Sequence, residues 1–304
     1  MTAPGRTTKY ATRQSGIALM VLAMLLVPCL DVMAKVLMER LPPLQVTFGR
    51  FLAQTLILLP LFLLVKGKSW PGKGHVAAGA FLGLALLSFN YALQVMPIAN
   101  ALAIFFVEPL VLTALGAVVL QERIGLRRFL AVLVGLGGVL IILRPNAALY
   151  GASAFYPLVT ACLFSCYMLV TRMMSQSGGQ FILQFWTGLF ATLVLMIGLG
   201  AKFALMPESG SLIPLTGAEL GLFVGLGALA AVAHQLIVQA LSRIEAGVAA
   251  PYQYLEIASA VLLGWVVFGD FPDALTLLGT VVIVGSGIYV FSDALREKLN
   301  CGPT

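Results

Sequence analysis

Charge is scarce in this chain. Of 304 residues only 10% are Asp, Glu, Lys or Arg, and 60% are hydrophobic, giving a mean hydropathy of +1.01. Soluble domains carry about 25% charged residues, so an ordinary soluble enzyme is excluded. Histidine is nearly missing, with His75 and His234 alone, and neither HExxH nor a GxxxxGK[ST] loop is present. Zinc-protease chemistry and direct use of ATP therefore lack their residues. Phe268-Gly269-Asp270 also lacks the first glycine of a GxGD intramembrane protease motif. The four cysteines are Cys29, Cys162, Cys166 and Cys301; three lie in apolar runs and the one close pair is spaced i,i+4 rather than CxxC. They read as small core residues, with no disulfide framework and no metal site. The net charge of +6 does not form a Lys/Arg stripe with interleaved aromatics, so nucleic acid is not an expected partner. No catalytic constellation and no cofactor motif is read.

What the chain has in abundance is long apolar runs. A bilayer core of about 30 Å needs about 20 apolar residues in a helix. Ten segments qualify: Gly16 to Met38, Leu44 to Val65, Val76 to Val95, Ala99 to Leu120, Phe129 to Leu143, Phe155 to Met174, Phe181 to Phe203, Ala218 to Leu241, Ala246 to Phe268 and Ala274 to Phe291. Pro42-Pro43, Pro71-Gly72, Met96-Pro97, Arg144-Pro145, Gly178-Gly179 and Phe271-Pro272 punctuate them. The expected fold is all-α and polytopic, with lipid around ten spans.

The cations set the orientation. With the N-terminus inside, cytoplasmic segments hold Arg6, Lys9, Arg13, Lys66, Lys68, Lys73, Arg123, Arg127, Arg128, Arg172, Arg243, Arg296 and Lys298. Those 13 stand against three on the other side, Arg40, Arg144 and Lys202, with Lys35 and Arg50 left inside spans. Both termini are thus expected in the cytoplasm of a bacterium, the chain lying in the inner membrane. Val32-Met33-Ala34 resembles a signal-peptide cleavage site, but the repeat described next requires span 1 as a permanent helix.

Displacing the chain on itself by 148 residues aligns Ala101 with Ala249, Glu108 with Glu256 and Glu122 with Asp270. Nearer the start of each half an offset of 137 aligns Lys35 with Arg172 and Phe48 with Phe185. Each half is one five-helix unit, and because five is odd the second must enter the membrane inverted. Equivalent loops then face opposite compartments: Lys66, Lys68 and Lys73 in one correspond to Lys202 and Glu208 in the other, and Arg123, Arg127 and Arg128 to Asp270 and Asp273. The expected organisation is a tail at 1–15, a first repeat at 16–145, a second, inverted repeat at 146–292 and a tail at 293–304. Inverted repeats are the architecture of secondary transporters, which bind substrate at the interface near the midplane.

Pro97-Ile98-Ala99-Asn100-Ala101, Glu108-Pro109 and Leu120-Gln121-Glu122-Arg123 resemble the fourth helix of the EamA-type drug/metabolite transporters. Glu245 to Pro251 through Phe268-Gly269-Asp270 is similar to the ninth, and Gly135 to Pro145 to the close of the first EamA repeat. The second copy ends on Asp270 where the family usually has Glu. The resemblance implies a secondary transporter, more often an exporter, of a small polar or amphipathic metabolite such as an amino acid. The partners it implies are that small molecule and the lipid, with proton coupling as an option.

Ionisable groups inside spans are costly and therefore candidates for function. The cavity candidates are Asp31, Arg50, Asn90, Gln94, Glu108, Tyr252, Gln253 and Glu256. Arg50 and Glu108 lie at compatible depths on different helices and are expected to pair, as are Asp31 and Lys35 at i,i+4, or Lys35 snorkels outward. Asn90 and Gln94, one turn apart, offer uncharged hydrogen bonds; Tyr252, Gln253 and Glu256 share one face. Glu256 has no evident cation at its depth, which makes Glu256 and His234 the candidates for proton exchange. Gly79xxxGly83 and Gly221xxxGly225 fit close crossings, and Gly227 and Ala231 predict that span 8 packs as span 3 does. An intramembrane enzyme is the alternative of another class, and a channel is disfavoured because no ring of like charges repeats.

Overall fold

The computed structural model describes residues 4–65, 70–119, 130, 133–135, 137–138, 140–141, 149–174, 179–205, 212–241, 243 and 255–300. The described secondary structure is helical throughout: α1 Pro4–Met38, α2 Pro43–Leu64, α3 Lys73–Val95, α4 Ile98–Phe105, α5 Glu108–Val119, a 3-10 turn Gly151–Phe155, α6 Tyr156–Met174, α7 Gln180–Leu205, α8 Gly217–Leu241, α9 Leu255–Phe268 and α10 Ala274–Asn300. Seven stretches are long and apolar enough to cross a bilayer, in α1, α2, α3, the α4–α5 pair, the 3-10 turn with α6, α7 and α8; α9 and α10 contribute shorter apolar helices. The fifth expected span, Phe129 to Leu143, falls largely outside the described residues.

Two boundaries differ from expectation for a physical reason. The segments expected as polar tails are helical, α1 from Pro4 and α10 as far as Asn300. Between Ser292 and Asn300 no glycine or proline stops the helix, and extension costs little once a nucleus exists. Span 4 is broken at Phe106 and Val107, dividing it into α4 and α5. Pro109 has no N–H to return to the Phe105 carbonyl and its ring opposes continuous α geometry; the chain answers with a turn in which Val107 N bonds Ile104 O. Glu108 therefore opens a helix in mid-span.

Large apolar side chains such as Leu22, Leu61, Leu84, Ile197, Val224 and Trp265 are exposed on the outside of the bundle, as a lipid-facing surface requires. The core joins both halves: Leu30, Leu37, Phe89, Leu93, Ile98, Leu102 and Ile104 pack with Phe223, Leu226, Ala230 and Ala260. Helix pairing repeats with two-fold symmetry. Helix α3 lies on α6 and α7, as α8 lies on α1 and α2; α1 meets α9 as α6 meets α5; and α2 meets α7, its own counterpart. Glycines make the central crossings close. A Cβ on Gly79 would fall 2.5 Å from Phe190 Cβ, and one on Gly227 would fall 2.6 Å from Ala53 Cβ. In the second GxxxG, by contrast, Gly221 has nothing within 4 Å, while a Cβ on Gly225 would lie 3.2 Å from Met33 Cε of α1.

Two further devices bind α9. Pro28 inside α1 leaves the Met24 carbonyl without its helical donor. The Ser259 hydroxyl of α9 donates to that carbonyl at 3.0 Å. At its far end α9 stops on Gly269, whose φ of 73° is left-handed backbone that glycine adopts without strain. Gly269 N bonds Trp265 O there, the αL form of helix termination.

Candidate functional site

The break before Glu108, the first turn of α9 and the middles of α1, α2 and α8 converge. Asp31 on α1 and Arg50 on α2 are only 6% and 4% exposed, which for ionisable groups demands a partner or a function. Each feels the charge of the other. His234 on α8 feels that of Arg50, and Glu256 on α9 feels both Asp31 and Glu108. Five titratable groups from five helices are thus linked through one another's charges, three of them carboxyls.

The expected pairings are rearranged. Among the described residues Arg50 forms no ion pair with Glu108 or any other carboxylate; its nearest acidic influence is Asp31, and its guanidinium carbon lies 5.9 Å from the Phe51 ring centroid. Lys35 pairs not with Asp31 but with Asp270, Nζ donating to Oδ2 at 2.9 Å. An α-helical i,i+4 pair competes here with a carboxylate delivered by another helix end, and the latter wins because the Met96 carbonyl also accepts from Nζ at 3.4 Å.

Several buried polar atoms in this interior lack hydrogen-bond partners among the described residues: Arg50 Nε, Glu108 Oε1, Gln54 Oε1 and Gln235 Oε1. An unfilled buried donor or acceptor is expensive, and Arg50 Nε and Glu108 Oε1 belong to the charged groups themselves. The Glu108 backbone is held by Ser165 Oγ, which donates to its carbonyl at 3.1 Å.

The remaining candidates divide. Asn90 is buried and donates through Nδ2 to Thr47 Oγ1 at 2.8 Å, while Thr47 Oγ1 donates to Pro43 O at 2.7 Å. Gln94 is exposed at the end of α3, so the structure does not bring it to Asn90. Tyr252 and Gln253 lie outside the described residues. Gln54 went unread from sequence although it stands one turn from Arg50 and is 2% exposed; its i+4 spacing was the available signal.

A second polar cluster occupies the membrane face at the C-terminal ends of α1 and α9. Arg40 Nε donates to Glu219 Oε1 at 2.6 Å, and Nη2 donates to Glu219 Oε2 and to Pro214 O. The bond from Glu219 raises the Arg40 pKa above its ordinary value. Gln45 and Ile213 exchange two bonds, Nε2 to O at 2.8 Å and N to Oε1 at 3.1 Å. Burial, then the charges of Asp270 and Asp273, push the Tyr150 phenol up.

The sequence pattern of the EamA-like transporter family matches residues 14–144 and 151–292. The chain is 28% identical over 276 residues to the S-adenosylmethionine uptake transporter of Rickettsia bellii, covering 88% of this chain and 91% of that protein. It is 27% identical over 224 residues to the riboflavin transporter of Rhizobium johnstonii, covering 74% and 72%, and 26% identical over 277 residues to the pseudopaline exporter of Pseudomonas aeruginosa, covering 89% and 94%. A solved crystal structure with 20% identity superposes over 94% of this chain and 99% of its own with a TM-score of 0.63, a likeness of fold.

Proposed function

We propose, proceeding from the fact that this chain belongs to the EamA-like transporter family, that it carries a small metabolite bearing an amino-acid-like set of charges through the interior of the bundle. Membership of a transporter family sets aside the intramembrane-enzyme reading. The mechanism is alternating access between two inverted repeats, 16–145 and 146–292, rocking about the interior ringed by Asp31, Arg50, Glu108, His234 and Glu256. The two-fold pattern of helix pairing supports it.

The observation that carries the substrate class is Arg50. A guanidinium is a planar fork matched to a carboxylate, and this one is buried with Nε unpartnered among the described residues. The carboxylates of Asp31, Glu108 and Glu256 outnumber it and favour a cationic group on the same substrate. An amino acid or amino-acid derivative meets both demands, and S-adenosylmethionine, a sulfonium-bearing derivative of methionine, is the first probe to test. Asn90, buried beside Thr47, belongs to the proposed lining, as Tyr252 and Gln253 do from the sequence alone; Gln94, exposed at the end of α3, does not.

Purified protein in proteoliposomes preloaded with unlabelled compound is expected to accumulate labelled S-adenosylmethionine or amino acid by counterflow, and Arg50→Leu to abolish this. Counterflow of riboflavin alone, unaffected by Arg50→Leu, would sink the charge-based reading. Export, which the resemblance implies, and uptake, which the S-adenosylmethionine relatives perform, separate when flux is measured in each direction. The chain is an integral multi-pass membrane protein; its place in a bacterial inner membrane with both termini cytoplasmic is proposed from the distribution of cations. Reporter fusions after Lys73 and Arg128 are expected to read cytoplasmic and those after Leu205 and Asp273 external, and one reversal overturns the orientation.

A further inference from the structure

Both ion pairs among the described residues join the two halves, and both lie on one face of the bundle, where α1 and α9 end. Lys35 Nζ of the first half donates to Asp270 Oδ2 of the second at 2.9 Å, and lies 4.6 Å from the Phe268 ring centroid. The same Nζ donates to Met96 O between α3 and α4. One ammonium thus ties three helix ends together. Arg40 grips Glu219 with its fork. That carboxylate is aimed by Thr216, whose N and Oγ1 donate to Oε2 at 2.7 and 2.9 Å while Glu219 N donates back to Thr216 Oγ1 at 3.3 Å, a capping box. On the opposite face the described contacts between α1 and α8 are apolar, Met20, Ala23 and Met24 against Ala240.

Position decides what this cluster does. Lys35 stands one helical turn, about 6 Å, from Asp31 on the same side of α1, so its bond to Asp270 lies between Asp31 and that face. Neither pair is fully buried: side-chain exposure is 18% for Lys35, 32% for Asp270, 46% for Arg40 and 14% for Glu219. Partly wet ion pairs bias an equilibrium without locking it. A structural clamp needs no such reversibility, whereas a barrier that opens in every cycle does.

We propose that Lys35–Asp270 and Arg40–Glu219 form a two-bolt latch that closes the transport pathway at the face where α1 and α9 end, and that both bolts open when the cavity is exposed to that face. The inference rests on the transporter reading above. The latch resists opening through bonds between the halves, with Lys35 as the inner bolt and Arg40 as the outer, and it explains why Asp270 is presented on a glycine-ended helix.

The test uses a single cysteine in place of Thr47, a side chain with no exposure on α2 between this face and Arg50. Cys29, Cys162, Cys166 and Cys301 are replaced by serine, and a membrane-impermeant thiol reagent is applied to either face of oriented proteoliposomes. Lys35→Met and Asp270→Asn are each expected to speed labelling from the latch face about tenfold, equivalent to 1.4 kcal/mol, with no gain from the other face. Arg40→Gln is expected to move it in the same direction. The exchanged pair Lys35→Asp with Asp270→Lys is expected to restore slow labelling, which a merely destabilised protein does not do. Parental labelling rates in both neutral variants, each monodisperse and with unchanged melting, would overturn the latch, as would fast labelling that the exchanged pair fails to slow. Loss of all counterflow in the parent with the labelling pattern intact removes the proposed substrate class and leaves the latch standing.

Discussion

Gly79 and Gly227 do the same work in opposite halves. A Cβ on Gly79 would meet Phe190 Cβ at 2.5 Å and Ala191 N at 2.8 Å; one on Gly227 would meet Ala53 Cβ at 2.6 Å and Gln54 N at 2.7 Å. The glycines are 148 residues apart, and their contacts, 53 with 190 and 54 with 191, are each 137 apart. These are the same two offsets that align the halves in sequence, so the repeat extends to individual interatomic contacts.

Gly79→Ala and Gly227→Ala are therefore expected to destabilise the protein by similar amounts, about 1–3 kcal/mol each for an overpacked backbone crossing. Gly221→Ala, with open space around it, is expected to be neutral. Thermal melts in detergent decide; a loss at Gly221 as large as at Gly79 would remove the distinction between the two GxxxG segments.

Much of this was legible in the chain. Span lengths, the two-fold repeat and the packing of span 8 like span 3 follow from composition and self-alignment, because a membrane span must be apolar and a repeat must bury the same positions twice. The partners of the charges were not legible. Lys35 and Asp270 are 235 residues apart, and which carboxylate reaches a lysine depends on where a glycine ends another helix. Gly221 had the right spacing and the wrong face. The burial of Asp31 and Arg50 was anticipated; the missing Arg50–Glu108 bond was not, since depth along a helix says nothing of rotation about it.

The Pro28 carbonyl gap gives a second prediction. Ser259→Ala removes the donor that Met24 O has in place of a backbone N–H, and is expected to cost about 1 kcal/mol. Restoring the N–H with Pro28→Ala should make Ser259 dispensable. If Ser259→Ala is equally costly with and without Pro28, the hydroxyl answers to the Leu255 and Glu256 carbonyls, which it also approaches.

Charge coupling is the third. Arg50 and Asp31 influence each other, so Arg50→Leu and Asp31→Leu are expected to be non-additive by about 0.5–3 kcal/mol in a stability cycle. Arg50→Leu with Glu108→Leu is expected to be additive. Arg50→Lys retains the charge and loses the fork, and is expected to keep the fold while depressing counterflow; full counterflow in that variant would leave Arg50 as a structural cation.

The last prediction concerns proton exchange at Glu256. It opens α9 as its repeat-mate Glu108 opens α5, and the groups facing it are Asp31 from α1 and Glu108, with Arg50 and His234 beyond. Three carboxylates near one another repel when ionised, so a substrate's cationic group entering beside Glu256 as its proton leaves conserves the charge among them. Glu256→Gln keeps shape and hydrogen bonding but cannot release a proton. Transport driven by an imposed pH gradient is expected to collapse in that variant while exchange at equal pH survives. Glu108→Gln, at the repeat-mate, is expected to alter binding more than coupling, because its oxygen is enclosed and its backbone is held by Ser165. Flux measured with and without a pH gradient separates the two, and unchanged pH-driven flux in Glu256→Gln would make that carboxyl a structural one.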